Sequence, residues 1–213
     1  MKRLTPDFLS GLREIADKYQ IPLIVDEVQT GFGRTGKFWG CELTTTTPDI
    51  ICVSKSIGAE IPFSMIAYRQ EYDKSLPEAF HLGTYRANPL AMAASTASIK
   101  YIEKEGLLSR VEKLGEKVKS EFNGIGISSK NVGEVRGAGF MIGNEIVESK
   151  ETKKPSNDMT AKLRNTMFEN GLLMHTCGHY ANVLRFMAPL ITSETLLTKR
   201  LATYEQAAKK LNS

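Results

Sequence analysis

The sequence predicts an α/β protein whose first part is built on a mostly parallel sheet. Three observations carry this expectation. Two short apolar, β-branched runs, Leu23-Ile24-Val25-Asp26-Glu27-Val28-Gln29 and Asp49-Ile50-Ile51-Cys52-Val53-Ser54-Lys55, have the composition and length of buried strands. A helical pattern leads directly into the first run, which is a half-unit of α/β architecture. Each run also carries a polar residue towards its carboxyl end, Asp26 in one and Lys55 in the other. Ligands in open α/β sheets bind beyond the carboxyl ends of strands, so Asp26 and Lys55 are expected to face one crevice.

Composition narrows the classes. The chain has 213 residues, enough for one or two domains with a real core. Its formal net charge is +4, with lysines and arginines scattered along the chain, which argues against a nucleic-acid surface. No apolar run is long enough to span a membrane, and no apolar segment of signal type follows Met1. Cys41, Cys52 and Cys177 form no CxxC pair and no disulfide framework, which favours a reducing compartment and a cytoplasmic location.

The elements follow in order. Thr5-Pro6 is a cap and first-turn pair for a helix with Phe8, Leu9, Leu12, Ile15 and Ala16 at helical spacing through Tyr19. Residues 30 to 48 show no helical period and read as a long ordered loop. Gly31, Gly33 and Gly36 match a dinucleotide fingerprint literally, but neither the strand nor the helix that this motif needs is in place around them. Gly58 to Pro62 is a turn, and Phe63 to Tyr68 a further strand. Asn88-Pro89 opens a helix to about Glu105, and Gly106 stops it. Leu107, Leu108, Val111, Leu114, Val118 and Phe122 form the stripe of a second helix. The span 133 to 143 reads as a strand with glycines at close backbone approaches. A helix from about Asn157 to Asn170, strands at Leu172 to Met174 and Val183 to Met187, and a helix opened by Thr192-Ser193-Glu194 complete the chain. The expected division is 1–105 and 106–213.

An acid and a lysine at neighbouring strand ends suit pyridoxal phosphate chemistry, in which the lysine forms a Schiff base and the carboxylate pairs with the pyridinium nitrogen. The residues then carry a resemblance. Asp26-Glu27-Val28-Gln29-Thr30-Gly31-Phe32-Gly33-Arg34-Thr35-Gly36, Pro48-Asp49 and Lys55-Ser56-Ile57-Gly58 resemble the class III pyridoxal-phosphate-dependent aminotransferases, in particular the 4-aminobutyrate aminotransferase group. Gly83-Thr84-Tyr85-Arg86-Ala87-Asn88-Pro89-Leu90 and Cys177-Gly178-His179-Tyr180-Ala181-Asn182-Val183-Leu184-Arg185 agree with it. Where Ala59 and Glu60 stand, members of the family often carry two glycines. The resemblance implies a pyridoxal-phosphate-dependent transferase fold of type I, as part of a large domain followed by a small C-terminal α+β domain.

The resemblance also assigns roles. Lys55 is the cofactor-binding and proton-shuttling lysine, and desolvation at the end of an apolar strand would lower its pKa. Asp26 holds the pyridinium nitrogen protonated. Val28 packs on the cofactor ring and Gln29 hydrogen-bonds its phenolic oxygen. Thr84 reaches the cofactor phosphate of a neighbouring subunit, and helix starts favour phosphate. Arg185, inside an apolar strand, binds the substrate carboxylate through a two-pronged contact. His175, Cys177 and His179 alternate along a strand, but no fourth ligand stands at usable spacing, so no metal is expected.

The implied activity is transfer of an amino group from an amino acid or ω-amino acid to a 2-oxo acid, with 2-oxoglutarate the expected acceptor. A racemase or aminomutase of the same family would share the cofactor site. Members of the family run to about twice this length, and the resemblance covers their later half. The expectation is therefore a chain that works as a homodimer or with a matching N-terminal half. By itself it would bind the cofactor weakly, show no transamination and tend to associate, or it would serve only as a non-catalytic partner.

Overall fold

The computed structural model describes residues 5–212. The chain divides into two compact units, with the division between Leu108 and Ser109.

The first unit opens with α1, Pro6–Tyr19. Thr5 caps it by accepting the Phe8 N–H at 3.3 Å, and Pro6 takes the first turn, where a missing N–H costs nothing. Gln20, in the left-handed region at φ 53°, closes the helix on the carbonyls of Ala16 and Asp17. Three strands follow: β1 (Ile24–Asp26), β2 (Ile50–Val53) and β3 (Met65–Tyr68). β1 runs parallel to β2, and β3 is antiparallel to β2. The sheet is thus half parallel rather than mostly parallel.

The strands are also shorter than the apolar runs, for a local reason. Asp26 Oδ1 accepts the Val28 N–H at 2.9 Å, and the Gly31 N–H donates to the Glu27 carbonyl at 3.0 Å, so the backbone turns away from the ladder there. At β2 the chain leaves the sheet through a 3-10 turn, Lys55–Gly58, with Lys55 at φ 53°. Nor is β1 buried as the sequence implied. The face that carries Ile24 and Asp26 continues over Ile66 and Tyr68 of β3, and Ile24 and Ile66 are 56% and 59% exposed. Cys52 is half-buried, and the buried thiol is Cys41.

Residues 30–48 form the expected ordered loop, interrupted by one 3-10 turn, Gly40–Leu43. Phe32, Phe38 and Trp39 pack edge-on or tilted on one another within it, with ring centroids 4.9 to 6.0 Å apart. α2 (Pro89–Lys104) is capped by Asn88 and packs against the Lys55–Gly58 turn.

The second unit is a four-stranded antiparallel sheet in the order β4-β5-β7-β6, with helices α3 (Leu107–Ser128), α4 (Asn157–Glu169) and α5 (Glu194–Asn212). Its strands are β4 (Val132–Ala138), β5 (Met141–Ile146), β6 (His175–Cys177) and β7 (Val183–Phe186). The span read as a single strand is therefore a hairpin. Gly139, at φ 52°, takes the left-handed turn between β4 and β5 that a side chain would strain. α3 approaches this turn closely, since a Cβ on Gly115 would lie 2.4 Å from the Gly139 carbonyl oxygen. The strand expected at Leu172 to Met174 falls instead at β6. Leu172 still donates its N–H to the Met167 carbonyl at the end of α4, so that segment closes the helix before it can pair. Val111, Val118 and Phe122 of α3, Leu163 and Met167 of α4, and Tyr204 of α5 pack with Ile142, Ile146 and Leu184 in one apolar core.

Candidate active site

Parallel pairing of β1 with β2 places the two candidate residues at matching ends. Asp26 is in register with Cys52, and Lys55 lies three residues further along β2's chain, where the 3-10 turn begins. Neighbouring strands run about 4.8 Å apart, so both residues sit at the same end of the strand pair. Both are exposed, and among the described residues no ion pair occupies either of them. The burial that the sequence reasoning invoked for Lys55 is therefore not found. What fixes the lysine is backbone: the left-handed conformation at Lys55, the half-buried Ser54 whose hydroxyl donates to the Phe63 carbonyl at 3.1 Å, and α2 against the turn.

The other end of the strand pair is held by a buried acid. Asp49 accepts the Leu23 N–H at 2.8 Å, and Arg13 of α1 and Arg69 beyond β3 contact its two oxygens at 2.5 Å and 3.1 Å. Burial alone would raise its pKa. The Leu23 amide and the two guanidinium groups outweigh that and hold the carboxyl below its ordinary range.

Val28 is half-buried and Gln29 exposed, in the turn that follows Asp26. Thr84 stands in a fully exposed turn in which the Arg86 N–H donates to the Gly83 carbonyl at 3.0 Å. The start of α2 is capped by Asn88, whose Oδ1 accepts the Leu90 N–H at 3.0 Å. Asp26, Val28, Gln29, Lys55 and Thr84 thus belong to the first unit.

Arg185 belongs to the second unit. It lies in β7, in register with Gly143 of β5 and His175 of β6, on the sheet face opposite Leu184 and Phe186. It is half-buried, with its Nε fully enclosed. On the same face Arg136 bridges Glu134 and Glu145 at 2.7 and 2.6 Å. Partial burial of Glu145 works against its charge, but the Arg136 guanidinium prevails and lowers its pKa. His175 and Cys177 lie in β6 and His179 in the turn after it, and among the described residues no group of three or more His, Cys, Asp or Glu is arranged to hold a metal ion.

The residue that sequence reasoning passed over is Glu27. It is only 1% exposed, and its carboxylate accepts N–H donors from Gly40 at 2.8 Å and Cys41 at 2.7 Å, together with the Thr30 hydroxyl. Burial, then the Glu27 charge, push the Cys41 thiol up to about 12, so it stays protonated. The only sequence signal was strand alternation, which turns Glu27 away from Asp26.

A lysine amine and a carboxylate, both accessible at adjacent strand ends, are the donor set that a carbonyl-bearing pyridine cofactor requires, so the residues present fit pyridoxal phosphate. Residues 1–208 match the family model of the class III aminotransferases. The chain is 37% identical over 204 residues to a 5-aminovalerate aminotransferase of Pseudomonas aeruginosa, covering 96% of this chain and 48% of that one. It is 34% identical over 202 residues to a 4-aminobutyrate aminotransferase of Escherichia coli, covering 95% and 47%. A leucine/methionine racemase of Thermococcus litoralis is 37% identical over 201 residues, covering 94% and 45%. Among solved structures, an aminotransferase of Bacillus anthracis superposes with a TM-score of 0.91 at 31% identity, over 96% of this chain and 48% of that one. This chain belongs to the class III aminotransferase family. It resembles the 4-aminobutyrate and 5-aminovalerate aminotransferases within it, and it spans about half the length of the curated relatives it matches.

Among the described residues no helix is long and apolar enough to cross a membrane.

Proposed function

We propose that this chain carries the lysine-bearing part of a pyridoxal-phosphate-dependent aminotransferase. The reaction moves an amino group from an amino acid or ω-amino acid to a 2-oxo acid, with 2-oxoglutarate as acceptor. The observation that supports it most directly is the placement of Asp26 and Lys55 at adjacent ends of a parallel strand pair, in a chain of this family.

When bound, the cofactor supplies an electron sink for the carbanion at the reacting carbon. Lys55 would hold the cofactor through its amine, and the same amine would move the proton at that carbon. Asp26, through the oxygen that Val28 leaves free, holds positive charge on the ring nitrogen. Val28 would bear on the ring and Gln29 would donate to its phenolic oxygen. Thr84 would bind the cofactor phosphate of a neighbouring subunit, and Arg185 would receive the substrate carboxylate as a two-pronged donor. The working assembly is a homodimer, or this chain with a partner that supplies what its relatives carry outside the matched half.

The test is direct. Reduce the pyridoxal-phosphate-loaded protein with borohydride and map the modified peptide. A pyridoxyl group on Lys55 is expected, and one on another lysine refutes the assignment. Then assay glutamate formation from 2-oxoglutarate with a panel of amino donors. In the same assays Arg185→Ala should raise the substrate KM while leaving cofactor affinity in place. Removing one partner of a desolvated charge pair weakens binding by about 2–5 kcal/mol.

The racemase relative supports a second reading, in which the same residues invert an α-carbon without an acceptor. Loss of optical activity of an amino acid in the absence of any 2-oxo acid would favour it.

A further inference from the structure

We propose that Glu27 is a positioning residue for Asp26: its buried carboxylate fixes the polypeptide that immediately follows Asp26 and so keeps the Asp26 side chain aimed outward from the strand end. The inference rests on the pyridoxal phosphate reading above and deepens it.

Every polar group of Glu27 is engaged. Its N–H donates to the Cys52 carbonyl at 2.9 Å, which continues the β1–β2 ladder one residue past Asp26. Its carbonyl accepts the Gly31 N–H at 3.0 Å. Its carboxylate holds the amides of Gly40 and Cys41, and the Thr30 hydroxyl. One side chain thereby joins the strand end to both limbs of the 30–43 loop. The fit is close, since a Cβ on Gly40 would stand 2.7 Å from Thr30 Cβ and 3.0 Å from Glu27 Oε2.

Successive side chains on extended backbone point to opposite faces. Anchoring Glu27 inward therefore sets Asp26 outward, with one oxygen on the Val28 N–H and the other available. A buried acid with several charge-assisted donors tolerates little rotation, because turning leaves amides unpaired in a dry site. Asp26 itself has no such anchor: it is exposed, and among the described residues its side chain bonds only the Val28 amide of its own turn. The precision of Asp26 is supplied by its neighbour.

Glu27→Gln keeps the shape but sets an NH2 group against amide donors. The protein in its native assembly, loaded with pyridoxal phosphate labelled with 15N in the ring, is titrated with pH, and the ring-nitrogen protonation midpoint is read by NMR. A carboxylate partner shifts such a midpoint by about 1–3 units. Asp26→Ala sets the lower limit, and Glu27→Gln is expected to move the midpoint towards that limit. Added to Asp26→Ala, it should move it no further. An unchanged midpoint in Glu27→Gln, or an equal shift on the Asp26→Ala background, overturns the inference. Gly40→Ala displaces the same carboxylate without altering its charge. It gives the same test where Glu27→Gln does not fold. Should Asp26→Ala itself leave the midpoint in place, the reading of Asp26 fails, which is a different result from failure of the Glu27 variants alone.

Discussion

The two units hold their shape by different means. The second is built on one apolar core, in which three helices pack on one face of the sheet and Phe122 meets Phe186 and Tyr204 edge-on. The first has short strands, and β1 and β3 leave Ile24 and Ile66 open to solvent. What fixes the first is a pair of buried carboxylates at opposite ends of the β1–β2 pair, Asp49 at the start and Glu27 at the finish. Apolar packing is non-directional, whereas a multiply bonded acid fixes a chain at a point. The unit that carries Asp26 and Lys55 is the one built on points.

The comparison can be broken from either side. Its largest expected effect is in the second unit, where Phe122→Ala should cost about 3–5 kcal/mol, read from a denaturant midpoint. A loss near zero would mean that the shared core is not what holds this unit.

Next comes Asp49→Ala, which takes from Arg13 one of its two carboxylate partners, leaves the Leu23 amide unpaired and should cost about 1.5–3 kcal/mol. The same residue makes the first unit sensitive to acid. Its folded pKa lies below the ordinary value, so its contribution is complete above the ordinary aspartate range and is lost as the pH falls through the folded value. Urea midpoints at neutral and strongly acid pH should diverge in the wild type and converge in Asp49→Ala. Equal divergence in both would assign the acid sensitivity to other groups.

A smaller effect is expected from Gly115→Ala. The added carbon would meet the Gly139 backbone, which cannot swing aside as a side chain can, at a cost of about 1–3 kcal/mol. Smallest of all is Ile66→Thr on the open face of the first unit, which should change stability by less than about 0.5 kcal/mol. A larger loss in the thermal midpoint would show that this face is packed in the working protein.

Much of the chain's local order was legible as sequence. The Thr5-Pro6 cap, the helices opened by Asn88 and Ser193, and the ordered loop after Asp26 are local features, set by side chains within a few residues of the backbone they serve. Asp26, Lys55 and Arg185 stood out for the same reason: each is a charged residue within or at the end of an apolar run.

Tertiary structure decided the rest. An apolar run does not state where it stops pairing, so β1 ends at Asp26 because that side chain takes the Val28 amide, and the 133–143 span folds back at Gly139 rather than running on. Nor does a run state how deeply it is buried, which depends on what packs over it, and so Lys55 and β1 are exposed where the sequence implied burial. For Glu27, alternation gives the face but not the partners. Its partners Gly40 and Cys41 lie thirteen and fourteen residues away, and nothing in a glutamate following an aspartate says that distant amides will close on it. Local chemistry is written in neighbouring residues, while burial and long-range hydrogen bonds exist only once the chain has closed on itself.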